Sequence, residues 1–284
     1  VKTDRIDAGK LAEYYAKDLL TIVTPPEAEQ ERDRDLLRTR YFLIKQQGEL
    51  RSHIHSLLRR NGYNFLQETG FKSYWTQSHM AWIDRQIATV TGSLKRNLEL
   101  LIQQLKWLTY SLSEYDQEVD SMAKAERYEK SIQALTCYKG IRNLFALTII
   151  TEIGNINRFP NPRNLVSWVG MDIREYSSGG RQNKFGITKH GNHYLRTALI
   201  ESNIKLFRGT KLGEYLISRR KTIPPHFIHI ADRCLSRLKK KGGRLLHAGK
   251  HPNKIKVACA REMIGFVWEA HGNFSLEIQH LCLG

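Results

Sequence analysis

The stretch that decides the fold is 36–58, which reads LLRTRYFLIKQQGELRSHIHSLL. Leucine recurs in it at every seventh position, at Leu36, Leu43, Leu50 and Leu57. A seven-residue apolar repeat is typical of a long helix packed along another helix. The pattern predicts one helix that continues to about Arg60, where Asn61-Gly62 ends it.

A second apolar stripe runs from Ile87 to Val119 at alternating spacings of three and four. Two such helices, joined by the segment around 62–82, predict an antiparallel hairpin that projects as a coiled-coil arm. We expect the arm to pair with a second copy of the chain. A self-contained bundle is the alternative, because the polar seam positions Arg40 and Gln47 weaken a dimer.

Composition predicts a folded protein whose partner is a polyanion. The 284 residues carry a formal net charge of +17, of which residues 1–150 contribute +3 and the remainder +14. We therefore expect the second half of the chain to meet a phosphate backbone. The sequence has no apolar run long enough to span a bilayer and no Cys-x-x-Cys pair, so it predicts a cytoplasmic protein with reduced thiols.

From about residue 130 the pattern changes to shorter helices, and the chain is expected to be mostly α. Helices over 132–138 and 143–153, joined through Gly140, are typical of a helix-hairpin-helix element that binds phosphate. Lys139 and Arg142 flank that turn, although any two packed helices can share such a glycine. A basic cluster with Lys239, Lys240 and Lys241 follows at the end of a later helix.

The loop over 176–186 is the best candidate for a nucleophile, because Ser177 and Ser178 stand in it beside two glycines. A serine that attacks a phosphodiester needs nearby cations to stabilise the charge on the phosphate oxygens. The sequence offers four: Arg181, Lys184, Lys189 and Arg196. A plain surface loop is the alternative, and the spacing is not that of a P-loop.

Asp4 and Asp7 are three residues apart on a helix predicted over Asp4–Leu20, which places both carboxylates on one face. Mg²⁺ is commonly held by one or two carboxylates together with substrate phosphate and water. Ordinary surface acids in a first helical turn are the alternative. His226 and His229 have no convincing third ligand nearby, so we do not predict zinc there.

Together these motifs resemble the transposases of the insertion-sequence 110 family, to which the pilin-gene DNA invertases are related. The resemblance runs from residue 1 to about 268. Its most specific part is the run from the serines to Arg196. The matching segments are Lys2–Ala8, Gly154-x-x-x-Arg158-Phe159, Leu165-x-x-x-x-Gly170, Ser177–Gly180 and Gly186–Arg196.

The resemblance implies three regions. Residues 1–24 would be the end of an RNase H or resolvase-like α/β domain, 25–128 the coiled-coil arm, and 129–284 a helical C-terminal serine transposase domain. Asp4 and Asp7 match the last two acids of an Asp-Glu-Asp-Asp metal set, whose first two members would precede residue 1. Ser178 matches the nucleophile, with Ser177 as the fallback.

The family also implies partners: donor and target DNA, an element-encoded guide RNA, and Mg²⁺ without a nucleotide cofactor. A homodimer that becomes a tetramer in the synaptic complex is expected, near the nucleoid of a bacterial or archaeal cell. The residues expected to contact nucleic acid are Lys139, Arg142, Arg181, Lys184, Lys189, Asn192, Arg196, Lys239, Lys240 and Lys241.

Three other functions stay open. The chain could be a catalytically incomplete fragment that only binds nucleic acid, which the missing half of the acidic set favours. It could be a site-specific DNA invertase. It could also be a coiled-coil scaffold whose basic surface is incidental.

Overall fold

The computed structural model describes residues 3–20, 25–178, 181–204 and 212–281, with side chains at 177, 178, 181–184 and 273–281 left undescribed. The described chain is mostly helical, as the sequence predicts. Its α-helices are α1 (Asp4–Ala16), α2 (Ala28–Arg60), α3 (Phe65–Thr69), α4 (Gln77–Thr89), α5 (Gly92–Met122), α6 (Glu126–Thr136), α7 (Asn143–Ile153), α8 (Pro162–Trp168), α9 (His193–Ser202), α10 (Glu214–Arg220), α11 (Pro225–His247) and α12 (Pro252–Leu281). A short 3-10 helix covers Ile156–Arg158, and two strands, β1 (Ile173–Ser178) and β2 (Arg181–Ile187), form a hairpin.

The long helices α2 and α5 pack against each other in opposite directions. Arg40 pairs with Asp116 at 2.7 Å. About two helical turns further along α2, Gln47 donates a hydrogen bond to Thr109 Oγ1 at 3.0 Å. The two polar seam positions thus face α5 of the same chain. Both polar side chains find their partners inside the helical pair, so they do not count against a dimer formed through another surface. The coiled-coil arm and the dimer stay predictions.

The second long helix begins later than the sequence predicts. The stripe from Ile87 is divided between α4 and α5, because Val90 and Thr91 adopt extended backbone and Gly92 has a positive φ of 65°. Two β-branched residues followed by such a glycine interrupt the helical hydrogen bonds. Apolar periodicity continues across the break, which is why the pattern alone reads as one helix.

A second hydrophobic cluster fills the end of the helical pair remote from the C-terminal half, where α3 and α4 cover it. Phe65, Trp82 and Ile83 are buried there against Ile54 of α2 and others. Aromatic side chains supply much of this core, and each large ring buries more apolar area than an aliphatic side chain. The short connecting helices therefore close the hairpin with a core of their own.

The main core lies where α6, α7, α9, α11 and α12 pack together, and it includes the near ends of α2 and α5. Helix α7 is almost fully buried from Ala146 to Ile153. The three described cysteines, Cys137, Cys234 and Cys259, are free and buried in this core. Burial raises the pKa of the Cys259 thiol to about 11, so the described cysteines are packing residues.

Helix α1 ends at Ala16, before the predicted end at Leu20, and it contributes no buried residue. Leu11 and Tyr15 are exposed along it, and Leu19 is exposed beyond its end. The predicted boundary at residue 128 falls inside α6, after α5 has ended at Met122. Both proposed domain boundaries stay predictions. Among the described residues, none of the helices has the length and apolar character that crossing a membrane requires.

Candidate functional site

The predicted loop around Ser178 is a β-hairpin. Strands β1 and β2 pair antiparallel, with Ser177 opposite Gln182 and Ser178 opposite Arg181. The prediction of a loop was wrong for these strands, because a Gly-Gly pair between two short runs is also a signal for a two-residue hairpin turn. The candidate nucleophile therefore lies at the end of β1.

The base of this hairpin is fastened by backbone hydrogen bonds between its two flanking segments. Lys189 N–H donates to Gly170 O at 2.9 Å, and Asn192 N–H donates to Trp168 O at 3.3 Å. Gly170 and Gly191 have positive φ values of 74° and 137°. A Cβ on either glycine would overlap a carbonyl oxygen of the opposite segment. Only glycine allows this close approach, which gives the two motif glycines a physical role.

Asn192 connects the hairpin to the buried Glu152 at the end of α7. Its side-chain oxygen accepts the Leu195 N–H as the N-cap of α9, and its amide donates to Glu152 Oε2 at 2.6 Å. Because both ends of the side chain are used internally, the structure gives Asn192 a positioning role. Its predicted contact with nucleic acid stays a prediction.

Glu152 also attaches the long helix α2 to this region. The carboxylate is 2% exposed and receives a two-pronged hydrogen bond from Arg38, at 2.8 and 2.9 Å. Arg34 lies 3.6 Å from it and donates to the neighbouring Thr151 O. The bond to Glu152 raises the pKa of Arg38. We call Arg34, Arg38, Glu152 and Asn192 the Glu152 cluster; sequence analysis missed its acid because Glu152 is embedded in an apolar helix.

The predicted cations around the hairpin differ in their surroundings. Arg196 is half-buried and donates to Val169 O at 2.7 Å, and burial lowers its pKa. Lys189 is exposed with a positive φ of 58°. Arg196 thus stabilises the hairpin base, while Lys189 is accessible to a ligand. Outside the described side chains lie Ser177, Ser178, Arg181 and Lys184.

The predicted helix-hairpin-helix turn is present between α6 and α7. Gly140 has a positive φ of 100°, and a Cβ there would overlap the Ser202 carbonyl at the end of α9. The Ile141 N–H donates a hydrogen bond to Tyr138 O at 3.3 Å. The turn presents two cations toward solvent: Lys139, which is half-buried, and Arg142, which is exposed.

Two arginines of α10, missed by sequence analysis, support the same turn. Arg220 donates to Cys137 O at 2.8 and 3.0 Å, and Arg219 donates to Ile141 O at 3.3 Å. Their guanidinium groups satisfy carbonyls at the end of α6 and in the turn. One sequence signal could have pointed to Arg219: Tyr215 stands four residues before it, and this spacing places both side chains on one helix face.

The basic cluster of α11 is divided among different contacts. Lys241 pairs with Glu262 on α12, and Lys240 is exposed. Lys239 is near Lys139, because its charge contributes to a lowered Lys139 pKa, after burial as the main cause. The structure therefore brings one lysine of the cluster to the α6–α7 turn, while its neighbours lie elsewhere around α11.

Asp4 and Asp7 lie in the first turn of α1, capped by Thr3, with Asp4 exposed and Asp7 half-buried. Nowhere in the described part of the chain do three or more histidine, cysteine, aspartate or glutamate side chains gather in a metal-binding group. Two carboxylates on one helical face suit a hard cation that completes its shell with phosphate and water. The pair would suit part of a Mg²⁺ site, and its assignment as metal ligands stays a prediction.

Comparison with known proteins gives matches to transposases. Residues 132–212 match the family model described as Transposase IS116/IS110/IS902 family. The chain is 28% identical over 273 residues to a putative transposase y4qE of Sinorhizobium fredii, covering 94% of this chain and 64% of the relative. It is 29% identical over 210 residues to the transposase for insertion sequence element IS1111A of Coxiella burnetii, covering 74% and 56%.

A third relative is the transposase for insertion sequence element IS1533 of Leptospira borgpetersenii, 26% identical over 245 residues, with 85% of this chain and 69% of the relative covered. The chain spans 64% and 56% of the length of the first two relatives. The matched family segment contains the α6–α7 turn, the hairpin with Ser178 and helix α9.

Proposed function

We propose that this chain, which is similar to transposases of the IS110 family, is a DNA recombinase that cuts and rejoins DNA through Ser178. One observation carries the proposal: Ser178 ends β1 opposite Arg181, on a hairpin whose base is fixed by Gly170 and Gly191 inside the matched segment. A strand end on a firmly fastened base suits a nucleophile that must be presented to a phosphodiester.

In the proposed reaction the Ser178 oxygen attacks a scissile phosphorus and forms a serine phosphoester. The P–O bond to one sugar oxygen breaks as the O–P bond forms, and the serine proton leaves with the released sugar hydroxyl. Attack by the sugar hydroxyl of another strand then reverses these steps and frees the serine. The number of phosphoester bonds is unchanged, so no nucleotide cofactor is needed.

The residues around the hairpin have separate tasks in this mechanism. Arg181, beside Ser178 in the strand register, and the exposed Lys189 would compensate charge on the phosphate oxygens. Arg196 and Asn192 would hold the hairpin base at α9 through their hydrogen bonds to Val169 and Glu152. The positioning residues thus act through the backbone that presents Ser178.

Mg²⁺ is the metal ion that this reaction would use, and Asp4 and Asp7 are the described residues that would hold it. When bound, such an ion polarises the phosphate and stabilises the released oxygen. The two carboxylates supply negative charge on one helical face. Further ligands from DNA phosphate and water fit the preference of Mg²⁺ for a mixed shell.

The proposed partners are donor DNA, target DNA and a guide RNA, with a dimer or tetramer of the chain as the active assembly. The excess of basic residues after residue 150 supports a polyanionic partner. Phosphate contacts from Lys139, Arg142 and Lys240 would position these strands without reading their sequence. Whether the outcome is transposition or inversion depends on the partner DNA.

A covalent trapping assay tests the function. Labelled, nicked element-end DNA is incubated with the 284-residue chain, guide RNA and Mg²⁺, and the products are separated under denaturing conditions. We expect an adduct with wild type and with Ser177→Ala, and none with Ser178→Ala. An adduct that persists in Ser178→Ala would contradict the assignment.

A second candidate is a nucleic-acid-binding protein that does not cut. It is favoured by the excess of basic residues after residue 150 and by the cations Lys139 and Arg142 at the α6–α7 turn. Tight binding of element DNA and RNA, with no adduct from the wild-type chain, would establish this second function in place of the first.

A further inference from the structure

A cavity lies between the α6–α7 turn, the end of α9 and the start of α10. Its volume is about 540 Å³, and its lining includes Lys139, Arg142, Tyr215 and Arg219. It is separated from the hairpin by the length of α9, because Asn192 caps one end of that helix and Ser202 meets Gly140 at the other. Ten residues of helix span about 15 Å, so this is a distinct place on the surface.

Tyr215 forms the centre of the cavity. Its side chain is 58% exposed, yet the guanidinium groups of Arg142 and Arg219 lie over its ring at 4.9 and 4.8 Å from the centroid. Cation and aromatic groups attract each other in this arrangement. An exposed tyrosine with arginines over its ring gives a planar, positively charged surface on which another planar group can stack.

Positive charge is concentrated in the lining of the cavity. Arg142 and Arg219 lie close enough that the charge of Arg142 adds to burial in lowering the pKa of Arg219. Lys139 is affected in the same way by burial and then by Lys239. Glu201 supplies an acid to the described lining. Like charges held together this closely favour the binding of an anion.

Binding to the α6–α7 turn uses only part of the hydrogen-bonding capacity of Arg219. Its Nη2 donates to Ile141 O, whereas Nε and Nη1 are buried without a hydrogen-bond acceptor among the described residues. Buried donors without an acceptor are costly. Arg219 therefore brings a positive charge with unsatisfied donors to the wall of the cavity.

We propose that this cavity binds one unpaired nucleotide of a single-stranded nucleic acid. The base stacks on the layer formed by Tyr215 and Arg142, and the phosphate pairs with Arg219 and Lys139. Unpaired bases offer a planar face to aromatic and guanidinium groups, whereas bases inside a duplex are already stacked. The inference rests on the proposed function in assuming that the chain handles nucleic acid, and it does not involve Ser178.

Fluorescence anisotropy with labelled oligonucleotides tests this site. Single-stranded DNA, single-stranded RNA and a duplex of equal length are titrated with the 284-residue chain. Tyr215→Ala is expected to weaken single-strand binding by about 5- to 150-fold, the usual effect of removing one stacking aromatic. Duplex binding should change little. Tyr215→Phe keeps the ring and should bind single strands like wild type.

A matched control is Tyr110→Ala, which removes another exposed tyrosine, on α5, 64% exposed. Lys139→Gln should reduce the slope of log affinity against log salt by about 0.7, the value for one lost phosphate contact on a single strand. If Tyr215→Ala loses affinity for only the RNA or only the DNA oligonucleotide, that result identifies which kind of strand the cavity binds. Either result supports the site.

Equal binding by Tyr215→Ala and wild type would overturn the inference, as would a loss equal to that of Tyr110→Ala. Failure of the wild-type chain to bind single strands would also overturn it. The binding measurement does not depend on cleavage, so a missing adduct in the trapping assay counts against the proposed function without affecting this result.

Discussion

Glu152→Gln tests how firmly the long helices are attached to the base of the hairpin. The substitution keeps the shape of the side chain and removes its charge. In the folded protein this carboxylate is 2% exposed and meets Arg38 at 2.8 Å, Arg34 at 3.6 Å and Asn192 at 2.6 Å. A glutamine can keep part of this hydrogen bonding but leaves two arginines without their shared counter-charge.

The expected loss of unfolding free energy is about 3 kcal/mol. Removing one partner of a buried ion pair costs about 3–5 kcal/mol. The lower end applies because the Arg38 side chain is 32% exposed and Arg34 keeps an ion pair with Glu31 at 2.8 Å. For a domain of 150–250 residues, 1 kcal/mol shifts the melting temperature by about 2–4 °C. A decrease of about 6–12 °C is therefore expected.

The measurement is thermal unfolding followed by circular dichroism, combined with a double-mutant cycle. Arg38→Gln and the double variant complete the cycle, and their coupling energy with Glu152→Gln should be about 1–3 kcal/mol. Glu49→Gln, which removes the acid of the exposed i,i+4 pair with Lys45, is the control and should leave the melting temperature unchanged. A melting temperature for Glu152→Gln equal to that of the control would refute the reasoning.

Three further results are expected. Gly191→Ala should lower stability by about 3 kcal/mol or more in thermal melts, because φ is +137° and the new Cβ meets backbone, whereas Gly186→Ala meets open space and should change little. Burial lowers the pKa of His79 to about 4, below its unfolded value of about 6.5. The stability that the neutral imidazole contributes is therefore complete above pH 6.5 and is lost as the pH falls toward 4. Thermal melts across this range should show the loss of stability, and His79→Phe should make that loss smaller. Asp4→Asn and Asp7→Asn should abolish Mg²⁺-dependent DNA cleavage in a nicking assay while DNA affinity persists; cleavage by both variants would contradict the metal assignment.

The sequence predicted those parts of the fold that depend on neighbours along the chain. Helix α7 runs from Asn143 to Ile153, as its apolar run and the preceding Gly140 turn indicate. The leucine repeat correctly predicted α2 and its end near Arg60. Here the period of apolar residues and a terminating glycine carry enough information, because the helix forms from local hydrogen bonds.

Strand pairing was harder to predict, because it depends on what lies across the chain. The hairpin at Ser178 was expected as a loop, since its glycine and serine content outweighed the short alternating runs on either side. Its register pairs Ser178 with Arg181, and at its base Gly170 and Gly191 approach opposing backbone. The glycines were visible in the sequence, but their mutual contact was not.

Side chains paired over long separations could not be found from the sequence. Glu152 looks like the polar end of an apolar helix, yet it is buried because Arg38, 114 residues earlier, and Asn192, 40 residues later, both reach it. A carboxylate in such a place is stable only with all of its partners present. The motif residue Asn192 is therefore tied to Glu152 outside the motif. Because Arg38 binds the same carboxylate, we expect a change at Arg38 to weaken the base of the hairpin as well.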